Sequence, residues 1–555
     1  MLAERIYSNA WANQSVQALF RETCSRVPDK TAIVFRGQAT SYRQLQRRVD
    51  DLAQGLIHAG VGPGDIVSTL PSPTPDFVVA FFAALQAGAT VNPLNLMWER
   101  DVLAAVLQRN APRVLITTAQ HGKTDYVRLL QQCFGEADAD NVTSRAKRPA
   151  HVLVSDDAVA TAELPEGFIR LRDFEAAAAP GERTAIEKRV HDFDALNVQF
   201  ICQTSGSTGL PKSALWNHRS PLSTAHFLAV NMGLTESDRW INLSPFFHNS
   251  GMCCTIAMGF AYAGLTVHLS ERFDPDEAVQ TIQDEGIAAT FGFSAHWVAM
   301  RGSNHYEADK FKLKAALVAG PPSFYHDVRG MCGRHARILN LYAQTENGPL
   351  VALTELGNVD EELRASNSGR PLPGVELKIC DVDSGTPLPD GKPGQIWYKS
   401  PYLFAGYLQA DGSVQRPLDA EGYFASGDYG FVRGGYLNFI ERLGGVVKSG
   451  GENVSLAKVS AALVAEFSAE FETLHAVAIA DPFWGDRVVA IGRPRSPGAV
   501  TTEAMRARCK ARLAAYEIPR TLLEWHEPWP VSAEGKLGVK QLREYAAAHV
   551  DTSQR

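Results

Sequence analysis

The chain has 555 residues, 45% of them hydrophobic and 21% charged, with a formal net charge of −7. That length exceeds one ordinary domain, and the composition is a globular enzyme's rather than a disordered chain's. The acidic balance gives no field that would attract nucleic acid or an anionic membrane surface.

In chain order, Ser15 to Arg26 has helical spacing and Thr31 to Phe35 is a short apolar strand-like run. Arg36-Gly37-Gln38 predicts a turn. Ser41 is placed to cap a helix running to Ala59, which carries Leu45, Val49, Leu52 and Leu56. A strand around Ile66 to Leu70, a helix over Asp76 to Gln86 and a strand ending at Asn92-Pro93-Leu94-Asn95 follow. The longest apolar stretch, Phe77 to Leu85, is too short to cross a bilayer. This alternation predicts an α/β fold with a largely parallel sheet. The Ala-rich, charged region 122–187 carries weak patterning and reads as a helix with surface loops.

Four glycines fall among the eleven residues 441–451, which predicts a flexible connector. Beyond it come a helix over Leu456 to Phe467, a strand at His475 to Ala480, a helix over Thr502 to Tyr516 and a strand at Thr521 to Trp525. The expected organisation is a large domain at 1–443 and a small α+β domain at 444–555. Eight scattered cysteines without a C-x-x-C or a paired Cys/His spacing argue against zinc and for a reducing compartment. The segment Met1 to Ala10 lacks the apolar core of a signal peptide, so the expected location is cytoplasmic.

The strongest local signal is Thr204-Ser205-Gly206-Ser207-Thr208-Gly209-Leu210-Pro211-Lys212, which follows a strand-like run from Phe200. Glycines let backbone N–H groups converge on an oxyanion, hydroxyls donate further hydrogen bonds, and a lysine adds a point charge. This is the chemistry that holds a polyphosphate. The spacing is not that of a Walker A loop. The whole string resembles the signature of the adenylate-forming superfamily of acyl-CoA synthetases, luciferase-like enzymes and peptide-synthetase adenylation domains.

Further segments resemble that superfamily's motifs in the same order. Leu341-Tyr342-Ala343-Gln344-Thr345-Glu346 is similar to Y-G-x-T-E, with Ala343 in place of glycine. The resemblance implies that Tyr342 stacks on adenine, Thr345 contacts the α-phosphate and Glu346 helps hold Mg²⁺. Ser426-Gly427-Asp428 resembles T-G-D, which implies that Asp428 and Arg442 meet the ribose hydroxyls. Lys448-Ser449-Gly450-Gly451-Glu452-Asn453-Val454 resembles the loop that lines the pantetheine channel of acyl-CoA ligases. There Gly450 and Gly451 would admit the thiol arm, and Lys448 would assist thioester formation. The family's hinge position falls on Gly444, and its C-terminal domain rotates after adenylation. Pro530 to Leu537 resembles P-x-T-x-x-G-K, which makes Lys536 the expected catalytic lysine of adenylation.

The resemblance thus implies a large α/β N-terminal domain with an additional β-rich subdomain and a small mobile C-terminal domain. It implies an ATP-dependent acid:CoA ligase of the aryl-CoA branch, using Mg²⁺, ATP and coenzyme A, monomeric or homodimeric. Ser244 to Gly251 resembles one wall of the acyl pocket. Phe247, His248, Asn249, Phe291, Phe293 and Gly320 are the expected acid-binding residues, and no aspartate stands there to meet an amino acid's ammonium group. Phenylalanines with small residues between them suit an aryl, arylalkanoic or alicyclic acid. A medium-chain fatty acid and a carrier-protein acceptor are the alternatives.

Overall fold

The structure, a computed structural model, describes residues 10–135, 145–155, 163–177, 183–204, 210–319, 324–354, 360–382, 384–449, 452–481, 484–513, 515–530 and 537–550. Contacts divide the chain into two compact units, one of Met1–Val375 with Lys399–Gly422, the other of Glu376–Tyr398 with Tyr423–Arg555. The division thus falls upstream of the expected boundary at 443/444, because the strands Glu376–Cys380, Gly394–Lys399, Phe424–Arg433 and Tyr436–Arg442 form one four-stranded sheet.

The first unit is built on two nine-stranded sheets. One has a parallel centre in which Ala289–Phe293, Ala315–Ala319 and Arg337–Ala343 lie side by side. The other aligns Val198–Thr204, Thr90–Pro93, Ile66–Leu70 and Val114–Thr117 in parallel and ends in antiparallel strands Lys212–Asn217 and Gly406–Leu408. Local sequence accounts for the helices between them. Ser41 accepts from the Gln44 N–H while the Gln44 side chain accepts from the Ser41 N–H, a reciprocal cap that starts helix Tyr42–His58. Helix Pro75–Gln86, the apolar stretch, is buried almost throughout. Among the described residues no helix is long and apolar enough to cross a membrane.

Three expectations need correction. Region 122–187 is more than a helix with loops, since His151–Val154 and Phe168–Arg170 are strands that extend the second sheet. They are short, and parallel pairing, of His151–Val154 with Val114–Thr117 and of Phe168–Arg170 with His151–Val154, makes them strands rather than any period of their own. The predicted connector at 441–451 holds a short helical turn, Leu443–Gly445, and strand Val446–Ser449. Strand pairing sets Val446 opposite Ser455 and Val447 opposite Val454. The helix predicted to reach Tyr516 ends at Cys509, where the chain tightens so that the Arg512 and Leu513 N–H groups both donate to the Cys509 carbonyl. That turn delivers Leu513 and Ile518 into the second unit's core.

In this unit the strands Phe471–Asp481 and Gly485–Pro494 form a long hairpin with Thr521–Glu524 alongside. Helix Leu456–Phe467 packs Val459, Leu463 and Phe467 against it.

Candidate active site

In the first unit the predicted residues gather where parallel strands end. Thr204 closes strand Val198–Thr204, Phe293 closes Ala289–Phe293, and Tyr342 lies one residue before the end of Arg337–Ala343. Carboxyl ends of strands are where open α/β sheets bind ligands, because connecting loops diverge there and leave a crevice. Thr204 pairs with Lys212 across the antiparallel hairpin, so both stems of the phosphate-type loop are fixed by a ladder. Ser205, Gly206, Ser207, Thr208 and Gly209 lie outside the described residues, as do Gly320, Gly450, Gly451 and Lys536. Lys448 lies on strand Val446–Ser449.

A buried polar network supports those stems. Arg109 donates to the Pro211 carbonyl at 2.6 Å, to Ser213 Oγ at 2.7 Å and to Gln203 Oε1 at 3.3 Å. Gln203 in turn donates to Asn92 Oδ1 at 2.9 Å, and Asn92 to Ser68 Oγ at 2.8 Å. One guanidinium thereby ties the strand entering the loop to the strand leaving it, with the planar multi-donor geometry only arginine offers. Sequence reasoning missed Arg109, which stands about a hundred residues from its partners.

Thr345 and Glu346 are held from several elements at once. Trp216 Nε1 donates to the Thr345 carbonyl at 2.8 Å, and Asn249 Nδ2 donates to Thr345 Oγ1 at 2.7 Å. The Phe404 N–H donates to the Glu346 carbonyl at 2.9 Å, and the Tyr407 hydroxyl donates to Glu346 Oε1 at 2.5 Å. With Asn249 filling an acceptor position on Thr345 Oγ1, the threonine's own O–H is left to donate elsewhere. Asn249, expected in the acid wall, therefore bonds to the Thr-Glu dipeptide. Lys212 Nζ lies 5.0 Å from the centre of the Tyr407 ring. Gly406, at φ +139°, lets its strand lie against Val414–Gln415, because a Cβ there would stand 2.7 Å from the Gln415 carbonyl oxygen.

The aromatic residues form a corner. The His248 ring meets Phe293 edge-to-face at 5.3 Å and 84°, and Phe293 meets Phe291 at 4.9 Å and 80°. His248 Nδ1 accepts from the Ser250 N–H at 3.2 Å, which makes the Nε2–H tautomer the neutral form. Phe247 packs instead against the core that includes Leu70 and Leu94. Following His248 in the chain, helix Gly251–Ala263 is a π-helix buried over its whole length. Burial pushes the neighbouring His296 down to about 4, so that ring is neutral at physiological pH.

In the second unit Asp428 is 2% exposed and its Oδ1 lies 2.9 Å from Arg442 Nε. The Ser426 hydroxyl accepts from the Asp428 N–H at 3.0 Å, so the residue in the threonine position helps fix Asp428.

Among the described residues no group of three or more His, Cys, Asp or Glu could cage a metal by protein ligands alone. Mg²⁺ prefers one or two carboxylates together with substrate phosphates and waters. Glu346, a single buried carboxylate bonded to the Tyr407 hydroxyl whose ring faces Lys212, fits that requirement.

The family of AMP-binding enzymes matches residues 20–408. The chain belongs to that family. It is 29% identical to a feruloyl-CoA synthase from Amycolatopsis sp over 518 residues, covering 92% of this chain and 94% of the relative. It is 28% identical to a 3-[(3aS,4S,7aS)-7a-methyl-1,5-dioxo-octahydro-1H-inden-4-yl]propanoyl:CoA ligase of Rhodococcus jostii, covering 93% and 95%. The fold matches the crystal structure of the anthranilate CoA ligase AuaEII in complex with anthranoyl-AMP at a TM-score of 0.78, with 20% identity and coverage of 97% and 98%. Family and relatives together make this chain an AMP-forming acid:CoA ligase, with ATP and coenzyme A as co-substrates.

Proposed function

We propose that this ligase activates an aryl, arylalkanoic or alicyclic carboxylic acid. The observation that supports the reading is the corner of His248, Phe293 and Phe291, whose edge-to-face rings offer a planar apolar substrate both faces and edges. Three of the similar proteins are named for ring-bearing acyl groups, feruloyl, anthranoyl and octahydroindenyl-propanoyl, while others are long- and medium-chain acyl-CoA ligases, which keeps the fatty acid as the alternative.

In the proposed mechanism the acid's carboxylate oxygen attacks the α-phosphorus of ATP in line. The acyl O–P bond forms as the bond to pyrophosphate breaks, and a coenzyme A thiolate then attacks the acyl carbon and expels AMP. No protein nucleophile is needed, so catalysis is positioning and charge neutralisation. Thr345 donates its O–H to the α-phosphate, Lys212 and the loop 204–209 hold the outer phosphates, and Tyr342 meets the adenine face. Asp428 and Arg442 hold the ribose. Glu346 would hold Mg²⁺, which would supply charge neutralisation on the phosphates. Lys536 counters charge as pyrophosphate leaves, and Lys448 with Gly450 and Gly451 serves the thiol half-reaction. Residues 444–555 move about Gly444 between the two half-reactions, and the enzyme works in the cytoplasm.

Measuring kcat/KM for thioester formation with hydroxycinnamic, benzoic, alicyclic and C6–C12 straight-chain acids tests the substrate class. A ring-bearing acid should exceed every straight chain by tenfold or more. A C6–C12 acid in first place would establish the medium-chain alternative instead.

A further inference from the structure

Tyr407 lies in none of the segments singled out in the sequence, yet it touches two of the site's charged groups at once. Its strand, Gly406–Leu408, runs antiparallel to Lys212–Asn217, with Tyr407 opposite Ala214. The side chain is 7% exposed, and the Phe404 ring packs edge-on against it at 4.7 Å. Its hydroxyl donates to Glu346 Oε1 at 2.5 Å, at the short end for an O–H bond to a carboxylate. The same segment holds the glutamate's backbone through the Phe404 N–H. Lys212 Nζ sits over the ring face at 5.0 Å.

We propose that Tyr407 is a positioning residue of the metal–nucleotide site, orienting Glu346 to meet the cation through Oε2 alone and seating Lys212 on its ring. The inference rests on the reading of Glu346 as the metal's carboxylate. A carboxylate chelating through both oxygens must turn both toward the metal. Here Oε1 is engaged by a short hydrogen bond from the Tyr407 hydroxyl, which fixes the plane of the group. Donating that proton also enriches the phenol ring in electron density, which strengthens its attraction for the lysine cation. Partners that orient a metal ligand in this way are worth about tenfold to a hundredfold in metal affinity.

The test uses the whole protein, saturated with the α,β-methylene analogue of ATP and titrated with Mn²⁺ while electron paramagnetic resonance reports the free ion. Tyr407→Phe keeps the ring and loses only the hydroxyl. It should weaken Mn²⁺ binding about tenfold or more, leaving analogue binding in EDTA unchanged and the free protein folded, with a single cooperative melt. Tyr407→Leu, which also removes the seat of Lys212, should weaken analogue binding in EDTA as well. Glu346→Gln should lose Mn²⁺ affinity at least as far, and adding Tyr407→Phe to it should change nothing further. Wild-type Mn²⁺ affinity in Tyr407→Phe with weak affinity in Glu346→Gln would overturn the role of Tyr407 alone. Wild-type affinity in Glu346→Gln would overturn the reading of Glu346 and the inference with it.

Discussion

Replacing Asn249 with alanine separates two roles for this residue. The sequence places it in the acid-binding wall, whereas in the structure its amide donates to Thr345 Oγ1 at 2.7 Å. Asn249 is 9% exposed, so water replaces it poorly. Losing a buried hydrogen bond of this kind costs the fold about 1–3 kcal/mol. The larger effect falls on the rate. Without the amide, the threonine hydroxyl is free to rotate and the donor aimed at the α-phosphate loses its alignment. Deleting a transition-state donor outright costs ~10²–10³ in kcat. A misdirected donor should cost less, about tenfold to a hundredfold, or roughly 1.4–2.8 kcal/mol of barrier. The assay is acid-dependent ATP–pyrophosphate exchange by Asn249→Ala, Thr345→Ala and the double variant. If Asn249 acts through Thr345, the double variant will be no slower than Thr345→Ala, and the coupling energy will equal the Asn249→Ala effect. Additive losses, or a rise confined to the KM for the acid, would refute the reasoning and return Asn249 to the acid wall.

Burial pushes His218 down to about 3 and His226 and His296 to about 4. These rings are neutral in the fold and charge on unfolding, so stability is full above the unfolded value of about 6.5 and falls as pH drops toward 4. His218 alone should remove about 3 kcal/mol by pH 4, which urea melts from pH 7 to 4 would register. A flat profile would mean the rings are hydrated. Asp481 Oδ2 pairs with the buried Arg487 Nε at 2.5 Å. Asp481→Ala removes the counter-ion and should cost roughly 3–5 kcal/mol, read by calorimetry, with a loss under 1 kcal/mol counting against it. Phe293→Ala should cut the kcat/KM ratio of ring-bearing to straight-chain acids by about twofold to tenfold, since an aromatic pair is worth ~0.5–1.5 kcal/mol beyond its area. An unchanged ratio would place the acid elsewhere. Lys536→Ala should abolish adenylate formation while thioester formation from supplied acyl-AMP survives, and equal loss of both half-reactions would remove that role.

Much of the fold is legible in the chain because its elements are locally consistent. Thr31–Phe35, Ile66–Leu70 and Leu456–Phe467 fall where apolar runs, caps and spacing put them. Strands such as Phe168–Arg170 are invisible in sequence because three residues hold no period, and only a neighbouring strand makes them extended. The same limit applies at the site. Tyr342, Thr345 and Glu346 stand in a motif, but the groups that hold them come from far along the chain, Trp216 from 129 residues away and Tyr407 from 61. Such contacts follow from strand order, which no local pattern encodes. Asn249 shows the converse, since its segment was recognisable while its bonding partner was not.

The central claim is that this chain makes an acyl-adenylate and passes the acyl group to coenzyme A. Its most direct test is to incubate the protein with Mg-ATP and a panel of ring-bearing and straight-chain acids, following pyrophosphate, AMP and thioester together with and without coenzyme A. The account predicts acid-dependent pyrophosphate release without the thiol, and release of AMP with an equal amount of thioester when the thiol is added. Pyrophosphate that never yields thioester, or ADP in place of AMP, would contradict it.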